Sequence, residues 1–420
     1  MQLLQLRVPS TSAQVFVIFH LVFALIAWIS LRSICQQRQC NPKTLFLFQG
    51  IPDHSALISL VGTANNHRAQ EALNLLQLNH RYYNTTASYN RVHNSPFSVV
   101  VAIVATSRKY PTDQQHFYLS QTMAQVLTLI DAFPSNPVEI IPFLCNVDAE
   151  GAKFAEAKGM ERLVRVVHRY SDANSVDSKK STVQKEKEDY AFCLETALRL
   201  WHFASHVLVL EDDALPISTF LHDVNHVLTA LEFRKKRGSG GAVTHVKLYH
   251  PESWRKLPWL IHIFCLSILL SIFGGLSFSW LCQWIRPLKP SPYQRFRLCC
   301  VCVQFVILLV SFYLLGHQVL AEWRRFFSLE AVYLIVPESC CTQAVLFPAD
   351  TAGKSIDFLN TQETSEHRAK DHILDELPYA SGSYAFQTDS NLVVHIGQYS
   401  TLRPEPVKTD NVDISLGGRP

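Results

Sequence analysis

Charge is what this sequence has least of. Only 17% of its 420 residues are Asp, Glu, Lys or Arg, where soluble chains average about a quarter. Lys plus Arg number 38 and Asp plus Glu 35, for a net charge of +3. With 48% hydrophobic residues, so even a balance excludes a disordered chain. It also leaves no concentrated basic face, so nucleic acid is not an expected partner. The C-x-x-C spacing of Cys299 and Cys302 falls inside an apolar run with no second pair beside it, so a structural zinc site is not expected. No internal repeat is present. Mean hydropathy is close to zero, which implies soluble sequence mixed with a few strongly apolar stretches.

Three such stretches stand out: 13–31, 257–285 and 298–321. Each is free of Asp, Glu, Lys and Arg and long enough to span a bilayer. The first exceeds the usual apolar length of a signal peptide and lacks an A-x-A cleavage site, so it reads as an uncleaved anchor. Arg286, Lys289, Arg295 and Arg297 fill the link 286–297 with no acid among them. The positive-inside rule makes that link cytosolic. A cytosolic tail 1–12 and two luminal segments, 32–256 and 322–403, follow, with a disordered tail at 404–420. The sequon Asn84-Thr85-Thr86 falls on the luminal side. Cys35, Cys40, Cys145, Cys193, Cys340 and Cys341 lie outside the spans. An oxidising lumen would allow disulfides among them, in pairings the sequence leaves open. The spans hold no Asp, Glu, Lys or Arg, and His only at His20, His262 and His317, which speaks against a transporter.

The luminal segments alternate between two periodicities. Phe97–Ala105 is a continuous apolar run and reads as a buried strand. Further strands are expected over 138–147, 163–168, 206–210, 242–249, 331–337, 344–347 and 392–396, and helices over 114–133, 185–201, 218–237 and 368–377. Apolar strands alternating with amphipathic helices imply an α/β fold with a largely parallel sheet covered on both faces. Ligands of such sheets bind beyond the carboxyl ends of the strands. The basic run Arg234–Arg237 closes a helix and reads as its solvated end.

The chemistry to look for therefore follows Ala105 and Leu210. There Leu208-Val209-Leu210 runs into Glu211-Asp212-Asp213. Adjacent acids at a strand end repel one another unless a cation joins them. Hard divalent ions such as Mn²⁺ or Mg²⁺ favour carboxylate oxygens, with a diphosphate completing the shell. Alternating side-chain direction is expected to point Glu211 and Asp213 to one face and Asp212 to the other. A solvated acidic turn is the alternative.

The segments FLCNVD (143–148), KEKEDYAFCLE (185–195), VLVLEDDALP (207–216), VKLYHPE (246–252), CCTQAVLFPA (340–349) and NLVVHIG (391–397) together carry a resemblance. The chain resembles the Golgi GPI N-acetylgalactosamine transferases, and more distantly the GlcNAc transferases that branch N-glycans. The resemblance implies a GT-A (Rossmann-like) glycosyltransferase domain split by a transmembrane hairpin and preceded by a transmembrane anchor. It implies a multi-pass Golgi membrane protein with a luminal catalytic domain, UDP-GalNAc as donor, Mn²⁺ as cofactor, and a mannose of the GPI glycan on GPI-anchored proteins as acceptor. It implies inversion, which needs a general base.

Carried over by position, Thr106 and Arg108 meet uracil or ribose, and Lys185 and Asp189 flank the nucleotide. Asp212 belongs to the donor-binding acids. Asp213 is the first candidate for metal ligation, with Glu211 and His395 as further contacts. Glu211 is also a candidate for catalysis, as is Asp371 in the place of the base. Taken alone, His395 reads as a hydrogen-bonded strand histidine, and Asp371 reads equally as a helix-capping carboxylate. The acids are Glu-Asp-Asp where the family motif is Asp-x-Asp, and no glycine stands just before Lys370. A non-catalytic glycan-binding or assembly protein on a decayed transferase domain is the competing function. The joint presence of Glu211, Asp212, Asp213, Asp371 and His395 favours the enzyme.

Overall fold

The computed structural model describes residues 54–83, 96–108, 116–133, 137–171, 180–238, 241–250, 332–339, 341–365 and 367–397, with scattered helical positions between 265 and 309. Two compact units divide the chain. One takes Met1–Gly50 and Arg255–Trp323, the other Ile51–Trp254 and Arg324–Pro420. Among the described residues no helix is long and apolar enough to cross a membrane. The expected anchor 13–31 lies outside the described residues, as do the sequon at Asn84 and the tail from 404. The runs 257–285 and 298–321 are described only at scattered helical positions. Some of those positions carry apolar side chains open to their surroundings: Phe273 is 75% exposed and Trp280 68%.

The second unit is built from α1 (His54–Leu78), β1 (Phe97–Ala105), α2 (Tyr118–Ala132), β2 (Val138–Asn146), α3 (Ala155–Met160), β3 (Arg165–His168), α4 (Thr182–Leu200), β4 (His206–Glu211), β5 (Ala214–Pro216) and α5 (Phe220–Lys236). It continues with β6 (Val243–Lys247), β7 (Leu334–Ile335), β8 (Ala344–Pro348), α6 (Ala349–Thr361), α7 (Lys370–Ser381), β9 (Tyr384–Thr388) and β10 (Val393–His395). Eight strands form one sheet in the order β3-β2-β1-β4-β8-β6-β9-β7, and β10 pairs with β5 in a second. Strands β3, β2, β1 and β4 run parallel. Strand β8 is antiparallel to both β4 and β6.

Alternation along the central strands makes two cores. Val99, Val101, Ile103, Leu208 and Leu210 pack with α2 and α5 on one face. Val100, Ala102, Val207 and Val209 pack with α4, α6 and α7 on the other. This period of two is why the runs contain no polar break: both faces are covered. Pro142 fits because β3 joins β2 only from Phe143 onward. Proline is tolerated where a strand is not paired on both sides.

Several boundaries depart from the sequence expectation. Helix α2 begins at Tyr118 because Phe117 is left-handed, at φ 50. Strand β3 begins at Arg165 because the N–H groups of Leu163 and Val164 still bond to Met160 O. Helix α4 begins earlier than expected, capped by the Ser181 side chain. The strand expected over 331–337 shrinks to Leu334–Ile335. Helix α7 runs on to Ser381, ended by Gly382 at φ 59, a left-handed C-terminal position that suits glycine. The basic run does close α5, with Lys235 2.9 Å from Asp350 on the surface.

One cross-link ties the layers: Cys145 of β2 is disulfide-bonded to Cys193 of α4. Cys341 is also disulfide-bonded, to a partner outside the described residues.

Candidate active site

The carboxyl ends of β1, β2 and β4 lie side by side, and β8, running the other way, brings its first residues to the same edge. Strand β1 delivers Thr106, Ser107 and Arg108, and β4 delivers Glu211. The chain then turns at Asp212-Asp213 and enters β5. The pairing of β5 with β10 sets His395 opposite Ala214, and Ile396 N donates to Asp213 O at 2.9 Å. Thr122 Oγ1 donates to Asp212 O at 2.8 Å, pinning the turn to α2.

The acids do not alternate as an extended strand would make them. The turn puts Asp212 and Asp213 on one guanidinium, that of Arg108. Arg108 Nη1 is 2.7 Å from Asp213 Oδ2, and Nη2 donates to Asp212 Oδ1. His395 Nε2 lies 3.1 Å from the same Asp213 oxygen. Burial pushes the Asp213 carboxyl up, but Arg108 and His395 outweigh it and hold it well below the usual carboxylate range. Asp212 lacks the histidine, and burial raises it against Arg108. Asp213 is thus the committed anion of the pair.

Glu211 faces elsewhere. Its Oε1 accepts from Thr342 Oγ1 at 3.0 Å and from Lys370 Nζ at 2.9 Å. Lys370 also donates to Glu186. The next residue is Asp371, in the first turn of α7. Its Oδ1 accepts from His372 N at 3.0 Å, and its Oδ2 accepts from Cys341 N at 3.4 Å. Burial pushes Asp371 up, but the neighbouring His372, Lys370 and the two N–H groups hold it below its ordinary value.

Lys185 and Asp189 sit on α4 as an ion pair at 2.7 Å. Asp189 is buried and also accepts from Arg169 Nη1 at 2.5 Å and Tyr170 Oη at 2.9 Å. Lys185 Nζ reaches Val147 O at 3.1 Å, just past β2. Thr106 is partly exposed at the end of β1. The geometry thus forms three neighbourhoods: Arg108, Asp212, Asp213 and His395; Glu211, Lys370, Glu186 and Asp371; and Lys185, Asp189, Arg169 and Tyr170.

Sequence reasoning missed Glu186, Arg169, Thr342 and Asp148. Asp148 Oδ2 accepts from Ser107 N at 2.6 Å and so shapes the loop that carries Arg108. Glu186, Thr342 and Asp148 each stand inside a segment already singled out, which is the signal the sequence offers for them, whereas Arg169 stands in none.

Asp213 Oδ1 is buried with no hydrogen-bond partner. Such an oxygen is costly in a fold unless something satisfies it, and a hard cation does so. Among the described residues no group of three His, Cys, Asp or Glu is gathered to hold a metal ion. The chain would then contribute a single carboxylate, a mode common for small divalent ions that keep substrate oxygens and water. Packing around this acid is tight: a methyl on Gly397 would stand 1.8 Å from Asp213 Oδ2 and 3.0 Å from Arg108 Nη1. Gly397→Ala is therefore expected to destabilise the fold by about 1–3 kcal/mol, read as a lowered denaturant midpoint.

The family model of GPI-N-acetylgalactosamine transferase PGAP4 matches residues 99–394. That span opens inside β1 and closes inside β10, so it takes in all or part of every strand of both sheets and, except for His395, all three neighbourhoods. With well over half of its length matched, the chain belongs to the GPI-N-acetylgalactosamine transferase PGAP4 family.

Proposed function

We propose that this chain transfers N-acetylgalactosamine from UDP-GalNAc to a mannose hydroxyl of the GPI glycan on GPI-anchored proteins, with inversion at the anomeric carbon. The observation that carries the reading is Asp213, a buried and ionised carboxylate at the carboxyl edge of a largely parallel sheet, inside the matched span. Mn²⁺ or Mg²⁺ would be held through Asp213 Oδ1, with His395 against the other oxygen of the same carboxylate. A bound cation supplies charge stabilisation at the departing diphosphate. Arg108 offers a fixed guanidinium for phosphate or ribose oxygens. Thr106, Lys185 and Asp189 line the nucleotide side. Glu211, whose carboxylate is turned from Asp213 toward Lys370 and Thr342, is suited to a sugar hydroxyl.

Asp371 is the proposed base. It takes the proton of the mannose hydroxyl as that oxygen bonds to the anomeric carbon and the bond to the diphosphate breaks, releasing UDP. Its lowered pKa keeps it ionised and able to accept.

The acceptor is confined to a membrane, and three spans at 13–31, 257–285 and 298–321 are proposed to hold the catalytic unit beside it, on the luminal face of the Golgi. Exposed Phe273 and Trp280 and the free, exposed Cys265 and Cys302 suit a lipid environment better than water. The Cys145–Cys193 disulfide suits an oxidising lumen. The chain leaves the catalytic unit after β6 and returns before β7, both at the carboxyl edge of the sheet. Holding the catalytic unit at the membrane raises the effective concentration of an anchored acceptor.

One observation favours the second reading, a non-catalytic glycan-binding protein: Arg108 already neutralises Asp212 and Asp213. A panel of UDP-sugars offered with a GPI-anchored acceptor, with and without Mn²⁺, separates the two. Transfer from UDP-GalNAc that needs Mn²⁺ and drops about 10²- to 10⁴-fold in Asp371→Asn supports the enzyme. Absence of turnover with every donor, from folded full-length protein, would leave the binding role.

A further inference from the structure

The first turn of α7 has no side-chain cap, since Ala369 stands at its N-cap position. What anchors it is Lys370, only 7% exposed. The Lys370 ammonium donates to Glu211 at the end of β4 and to Glu186 in α4, and lies 5.3 Å from the centre of the Tyr190 ring. One cation thereby joins a strand end and two helices at the residue preceding the proposed base. Further along α7, Asp375 pairs with the wholly buried Lys247 of β6. The groups facing Asp371 are thus Lys370 and His372 on its own helix, Glu186 behind Lys370, Asp375 one turn on, and the backbone of the disulfide-bonded Cys341.

We propose that Lys370 is a positioning residue for the transfer reaction, neutralising Glu186 and Glu211 so that Asp371 is held in place and ionised on the acceptor side. The inference rests on the reading of Asp371 as the base. Without Lys370, two carboxylates would face one another beside a third, with no cation between them. Burial already pushes the Glu186 carboxyl up, and Lys370 is the first group opposing it. Uncompensated negative charge beside Asp371 would favour its protonation. It would also free the first turn of α7, and a displacement of about 1 Å at a reacting group costs on the order of 10²-fold in rate.

The test uses the full-length protein and the UDP-GalNAc transfer assay across pH. Lys370→Met is expected to lower kcat about 100-fold and to move the acidic limb of the pH–rate profile to higher pH. The sign follows from the chemistry: a base that loses a neighbouring cation is protonated more readily, so it is active only from a higher pH upward. Adding Glu186→Gln to Lys370→Met is expected to return part of the rate, about tenfold, because it removes one of the repelling charges. Lys370→Arg keeps the charge, is expected to leave the acidic limb where it was, and decides the matter if Lys370→Met does not fold. A wild-type rate and limb in folded Lys370→Met would overturn the proposal, as would a lost rate with an unmoved limb and no return from Glu186→Gln. So would a displaced limb in Lys370→Arg. Asp371→Asn separates the failures. Full activity there removes the base reading and this inference with it, whereas an inactive Asp371→Asn beside an unperturbed Lys370→Met removes this inference alone.

Discussion

Asparagine in place of Asp213 is expected to lower sugar transfer about 10³-fold and to destabilise the fold by about 3 kcal/mol. The first figure is the upper end of what one lost electrostatic stabiliser of the transition state costs. The second is the lower end for breaking a buried ion pair, because Asp212 still faces Arg108 after the change. Both effects come from one carboxylate that answers Arg108, answers His395, and keeps one oxygen without a hydrogen-bond partner. Transfer assays and denaturant unfolding on the same preparation read them together. The pH dependence has a definite sign. Asp213 has a depressed folded pKa, so its contribution is fully present above the ordinary carboxylate range and is lost as pH falls toward the folded value. Near neutrality the wild type therefore exceeds the variant in stability by the full amount. The gap closes only in strong acid.

Loss of the Cys145–Cys193 bond has a comparable expected effect on the fold. The bridge spans 48 residues, and closing a loop of that size restricts the unfolded chain by about 4 kcal/mol on the entropic account. Cys193→Ala should lower the unfolding midpoint accordingly, and a reductant should lower the wild type by more than it lowers the variant, which still carries the Cys341 disulfide. The bridge joins the middle of α4 to β2, two residues before Val147, whose carbonyl accepts from Lys185. Activity should fall along with stability, because α4 also carries Glu186 and Asp189.

Continuous apolar strands were the most legible part of the sequence. Phe97–Ala105 is the observed β1 to the residue, since a strand buried on both faces needs an unbroken apolar run. The acids after Leu210 were legible as a cluster but not as a geometry. Period-two alternation holds only while the strand lasts, and it stops at Glu211. Asp212 and Asp213 consequently share Arg108, a residue that the resemblance gives to uracil or ribose. The β5–β10 pair was invisible for another reason. It is three residues long and its partners lie far apart in sequence, so no local pattern announces it, and yet it sets His395 against Asp213. The sequence reading puts Lys185 and Asp189 at the start of the helix that flanks the nucleotide; α4 begins earlier, at Thr182, and Arg169 and Tyr170, which complete that cluster, come from the segment just after β3. Helices α1, α3 and α6 and strand β9 carry no strong start signal and were not foreseen.

The position of β8 has a consequence for how the protein is made. Strand β8 (Ala344–Pro348) sits between β4 and β6, both of which are synthesised before the chain departs at residue 255. Until the ribosome has passed Pro348, β4 and β6 each present an open edge with nothing to pair against, the condition that invites adhesion between nascent chains. The catalytic sheet therefore cannot mature in the order in which it is translated. It waits for the intervening segment to be completed, and any substitution in that segment that delays its completion lengthens the life of an unfinished sheet. Defects there would appear as poor yield and retention by chaperones, in a protein whose active site is intact residue by residue.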